Sequence, residues 1–121
     1  MNTDRRKAAG NFAENVAAGY LTGLDYVILA QNYAANGGEI DIIAEKNGYV
    51  VFVEVKYRRQ LAYGRPAEAI TPKKQQAMIG AAQQYLAESG RHNADCRFDV
   101  IEIFGRELLD INHIENAFGE N

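Results

Sequence analysis

Two runs of strand-forming residues, Glu39-Ile-Asp-Ile-Ile-Ala-Glu-Lys46 and Tyr49-Val-Val-Phe-Val-Glu-Val-Lys56, are separated by a single Asn47-Gly48 pair. No other feature constrains this chain as tightly. Both central positions of a two-residue hairpin turn need positive φ, which asparagine and glycine tolerate best. The turn therefore fixes the register. Lys46 pairs with Tyr49 and, moving outward, Ile43 opposes Phe52, Asp41 opposes Glu54 and Glu39 opposes Lys56. Side chains alternate faces along a strand. One face then carries Ile40, Ile42, Ala44, Val51, Val53 and Val55 and reads as core. The other carries Glu39, Asp41, Ile43, Phe52, Glu54 and Lys56.

That second face sets two carboxylates against each other. Opposed residues of an antiparallel pair have Cβ atoms about 4.5–5.5 Å apart, and like charges there are destabilising. A divalent cation held between Asp41 and Glu54 removes the conflict, because hard cations such as Mg²⁺ take oxygen ligands. Lys56 points the same way two residues on. Two carboxylates and a lysine are the minimum set for metal-assisted phosphodiester hydrolysis: the metal activates a bound water and polarises the phosphoryl oxygen, and the lysine offsets developing charge. The plainer reading is a surface ladder in which Lys56 pairs with Glu39 and, diagonally, with Glu54. Glu39 is read as a partner or supporting group in either case.

The rest of the chain supplies the frame. Residues 5–22 carry Ala8, Ala9, Phe12, Ala13, Val16, Ala17, Tyr20 and Leu21 at helical spacing. Residues 25–34 read as a strand closed by Asn36-Gly37-Gly38. Thr71-Pro72 supplies a cap and a first-turn proline for a helix that runs to Gly90. Residues 97–104 form a further strand, and the tail from Arg106 reads as a short helix or an edge strand. The order helix, three strands, helix, strand makes an α/β sandwich of one domain over residues 1–121, a mixed sheet flanked by helices with the last strand reached by a crossover.

Charge bears on the partner. The net charge of −3 argues mildly against nucleic acid, but between Lys56 and Lys74 six basic residues face Glu68 alone, leaving seven basic and fifteen acidic residues elsewhere. Such a segment can bind phosphates locally, although a solvated basic loop explains it equally. By strand parity Arg58, not Arg59, points with Lys56. Arg58, Arg59, Arg65, Lys73 and Lys74 form the candidate nucleic-acid track, with Tyr57 and Tyr63 available to stack on bases. Lys73 and Lys74 sit in a helix's first turn, where positive charge opposes the macrodipole. A hydrophobic share of 47% excludes disorder. No apolar run is long enough to span a bilayer, and the polar N-terminus has no secretory pattern. A cytoplasmic protein without membrane association is expected. The single Cys96 excludes an internal disulfide and reads as a small buried residue. His92 and His113 read as isolated surface residues, and Asp99 as a buried hydrogen-bonding acid.

The string Gly38-Glu-Ile-Asp-Ile-Ile43 followed by Val51-Phe-Val-Glu-Val-Lys56 and Arg58 resembles the YraN family of small bacterial proteins. Gly10-Asn-Phe-Ala-Glu14 with Ala17 and Tyr20-Leu21, Phe98-Asp-Val-Ile101 and Asn116-Ala-Phe118 are similar to that family as well. More broadly, a first-helix acid, an Asp on the second strand and Glu-x-Lys on the third resemble the PD-(D/E)XK nuclease superfamily, which includes archaeal Holliday-junction resolvases. The resemblance implies a restriction-endonuclease-like fold. It also implies Asp41, Glu54 and Lys56 as catalytic residues and Glu14, Asp41 and Glu54 as ligands of Mg²⁺ or Mn²⁺. Ile40 stands where the superfamily's name has proline. The function implied is metal-dependent cleavage of nucleic acid, DNA before RNA, acting on branched or processed ends. The alternative is a module that binds nucleic acid or a partner without cutting. A symmetric junction substrate would call for a homodimer.

Overall fold

The computed structural model describes residues 2–58 and 70–119, with side chains in the first helix from Asn11 onward. Helix α1 spans Asn2–Gly23, and strands β1, β2 and β3 follow at Val27–Ala35, Gly38–Lys46 and Tyr49–Arg58. Helix α2 (Pro72–Glu88) precedes β4 (Asp95–Phe104) and β5 (Asp110–Phe118). The five strands form one mixed sheet in chain order. β1, β2 and β3 pair antiparallel, β3 and β4 pair parallel across the α2 crossover, and β5 returns antiparallel to β4. The tail left open as helix or strand is thus an edge strand.

Local chemistry explains the elements. Asn47 and Gly48 have φ of 53° and 84°, and Asn36 and Gly37 have 54° and 78°, so both hairpins turn on Asn-Gly. The β2–β3 register has Lys46 opposite Tyr49 and Ile42 opposite Val53, as the turn dictates. Thr71 caps α2, its hydroxyl accepting from Lys74 N at 3.1 Å, with Pro72 opening the helix. Gly90, at φ 72°, follows its end, and Arg91 N reaches back to Leu86 O.

Both sheet faces are covered. On one, Ala13, Ala17 and Leu21 of α1 pack with Ile42, Ala44, Val51, Val53, Ile101 and Ile103. On the other, Ala81 and Ala82 of α2 pack with Ile40, Ile43, Val50 and Phe52. Ile43 and Phe52, which share the alternation of the charged face, are therefore core themselves. Ile40 also corrects the alternation: it lies with Ile43, not with Ile42. The cause is a local break. The β1–β2 register passes from Gln31 opposite Ile42 to Tyr33 opposite Ile40, skipping Asn32 and Asp41. Asn32 has a left-handed backbone, φ 53°, a conformation in which asparagine is several-fold enriched.

Candidate active site

The break in the sheet is where the chemistry gathers. The β2–β3 ladder ends at Ile42 opposite Val53, and beyond it the Asp41 carboxylate accepts the Val55 amide at 2.8 Å. The side chain of Asp41 thus takes a hydrogen bond that a strand partner would otherwise take. Glu54 lies beside it on β3 and is 5% exposed. Burial first, then the negative charge of Asp41 and a hydrogen bond shared with it, raise the Glu54 pKa to about 7, against the opposing pull of Lys74. Glu14 comes in from α1, half-buried. Its carboxyl is also raised, by burial first and by Asp41 next, with the Asn32 amide partly offsetting the shift. Three carboxyls from three elements therefore share one electrostatic neighbourhood.

A pocket of about 240 Å³ opens there, lined by Glu39, Asp41, Glu54, Lys74, Gly38 and Ala77 among others. The helix and the strand meet closely at its wall: a Cβ built on Gly38 would lie 2.1 Å from Ala77 O. Only glycine permits that approach. The donor set is oxygen-only and anionic, which suits Mg²⁺ or Mn²⁺ and not a soft-ligand metal. Among the described residues no three Asp, Glu, His or Cys side chains converge as a cage; Asp41 accepts the Val55 amide and Glu54 is paired with a lysine.

That lysine is Lys74. Its Nζ lies 3.1 Å from Glu54 Oε1 and 3.0 Å from Oε2. The sequence placed Lys74 with the phosphate contacts, whereas here it neutralises a carboxylate of the pocket. Lys73 is exposed. Lys56 is half-buried in the straight part of β3, in register with Glu102 of β4, and among the described residues it forms no ion pair with Glu39. Arg58 directs Nε to Glu102 Oε2 at 3.4 Å. Arg59, Arg65 and Tyr63 lie outside the described residues. Tyr57 is committed elsewhere: its hydroxyl donates to Gly105 O and its ring packs on the α1-side core.

Sequence reasoning missed the burial of Glu102 and of His113. Glu102 is 1% exposed, and its Oε1 has no hydrogen-bond partner among the described residues. The signal was a glutamate inside the apolar run Val100–Phe104. His113, read as an isolated surface residue, is instead nearly enclosed, 7% exposed at its side chain, with Nε2 2.7 Å from Asp99. Tyr20 OH meets its Nδ1 at 3.0 Å. Asp99 is fully buried, as expected, and takes further hydrogen bonds from Arg97 and Asn116 N. Burial pushes its carboxyl up, but those donors together outweigh burial and hold it below the usual range. This network ties β5 to β4 and α1. Cys96 is a further correction, exposed at the start of β4, and Phe12 is 47% exposed, packing edge-on to Tyr57. Among the described residues no helix is long and apolar enough to cross a membrane.

Comparison with known proteins agrees over most of the chain. The sequence model of the uncharacterised protein family UPF0102 matches residues 13–103. A UPF0102 protein of Chlorobium phaeobacteroides is 45% identical over 112 residues, covering 87% of this chain and 88% of the relative. Another from Clostridioides difficile is 44% identical over 112 residues, covering 93% and 97%.

Proposed function

We propose that this chain, which belongs to the uncharacterised protein family UPF0102, is a cytoplasmic metal-dependent nuclease of the PD-(D/E)XK type acting on DNA. One observation carries the reading: buried Glu54 lies in the field of Asp41 at the wall of a pocket, where the β2–β3 ladder ends, with a pKa of about 7 on Glu54. A fold holds like charges in such an arrangement at a cost, and functional sites are where such costs concentrate. Asp41 and Glu54, with Glu14 behind them, are the residues to hold Mg²⁺ or Mn²⁺, which supplies an activated water and a Lewis acid at the phosphoryl oxygen. Lys56, on the same strand face as Glu54, offsets charge on the phosphate. Arg58, beside Glu102, contacts the flanking backbone together with Lys73, and Arg59 and Arg65 extend that track.

A second reading is favoured by the Lys74–Glu54 pair, which already satisfies the buried carboxylate: a module that binds nucleic acid and no longer cuts. The two separate in a cleavage assay on labelled single strands, duplexes, flaps and four-way junctions of DNA and RNA, with Mg²⁺, Mn²⁺ or EDTA. The nuclease reading expects metal-dependent cutting that Glu54→Ala or Lys56→Ala reduces at least about a hundredfold. Salt-sensitive binding without cutting in any metal would select the binding module.

A further inference from the structure

Lys74 grips Glu54 through both carboxylate oxygens, at 3.1 and 3.0 Å. The two partners differ sharply in exposure: the lysine side chain is 42% exposed and the glutamate 7%. The ammonium thus reaches inward from the rim of an open pocket to a nearly buried anion. Its root is fixed. Thr71 caps the helix on Lys74 N itself, and one turn further on Ala77 is locked against Gly38. The lysine stands in the first turn of α2, where the helix dipole disfavours a cation. Glu54 supplies the compensating charge.

Resting on the metal-site reading above, we propose that Lys74 is the resident counter-ion of this site, occupying Glu54 until a divalent cation displaces it and then serving the nucleic-acid phosphate. Both oxygens that a metal would use on Glu54 are already taken by the ammonium, so the two cations compete. Helix α2 stays in place because its cap and its contact with Gly38 do not involve the ammonium. The released ammonium remains at the pocket rim on a flexible stem, next to the added positive charge and free to meet an anion. Lys74 is then a phosphate-contacting residue in the loaded protein and a Glu54 partner in the unloaded one. The basic run of the sequence and the observed ion pair become two states of one side chain.

The test is calorimetric titration of the full chain with Mn²⁺ alone, in the wild type and in Lys74→Met, Lys74→Arg and Glu54→Gln. Removing a competing ion pair worth roughly 1 kcal/mol should tighten Mn²⁺ binding about fivefold in Lys74→Met, whereas Lys74→Arg stays near the wild type. In Ca²⁺, the affinity of Lys74→Met for duplex DNA should fall and that of Lys74→Arg should hold. A silent wild type with a binding Lys74→Met variant would also support the displacement. If the wild type binds Mn²⁺ and Glu54→Gln does not, yet Lys74→Met binds equally or more weakly, the counter-ion role is overturned and the metal site stands. If no variant binds Mn²⁺, both fall together.

Discussion

The Glu54 carboxyl owes its pKa of about 7 to burial first and to Asp41 second. Its folded-state value lies above the ordinary 4.5, so its contribution to stability is fully present below pH 4.5 and is lost as pH rises through 7. Neutralising it should reverse that loss. In EDTA, Glu54→Gln should be more stable than the wild type at pH 8, by on the order of 2 kcal/mol, with the gap closing toward pH 4.5. Denaturant melts across that range read the difference directly. A gap of constant size at every pH would mean that neither burial nor Asp41 raises the Glu54 carboxyl. The neighbourhood of Asp41 and Glu54 was legible in the sequence from the hairpin turn, although the ladder itself ends one pair short of them, at Ile42 opposite Val53. The grip of Lys74 was not legible, since it joins residues on separate elements and rests on how α2 packs.

At the scale of elements, the site depends on one close contact and one irregular stretch. Helix α2 crosses β2 so tightly that Gly38 has no room for a methyl group beside Ala77 O. Gly38→Ala should therefore push α2 outward, costing about 1–3 kcal/mol in stability and loosening the pocket wall that carries Lys74. Thermal melts and Mn²⁺ titration would both register it, and unchanged values in both would show that the helix is not clamped there. The break at Asn32 and Asp41 was hidden from the sequence for a related reason. Alternation assumes a regular ladder, and nothing local to β2 says that its neighbour adopts a left-handed residue. The Asn in the middle of Leu29–Ala35 was the available clue. The helices, the hairpin and the β4 strand were readable because caps, turn residues and periodicity are local. The edge strand β5 was not, for its register is set by the buried Asp99 and His113.

At the scale of the whole molecule, the sheet divides the labour. Its α1 side, toward β5, is closed around Asp99, Arg97 and His113, groups that satisfy one another and hold the edge strand. Asp41 and Glu54, where the β2–β3 ladder ends, are left open to a pocket that Lys74 of α2 also lines, with Glu14 of α1 adding its charge to theirs. A cation partitioned to this protein should find that pocket and no other. The most direct test is paramagnetic broadening by substoichiometric Mn²⁺ in amide NMR spectra of the full chain at neutral pH. The account predicts loss of signal centred on Asp41, Glu54 and Val55, reaching Glu14, Asn32 and Lys74, with broadening abolished in Glu54→Gln. Broadening centred elsewhere, or none at all, would contradict it.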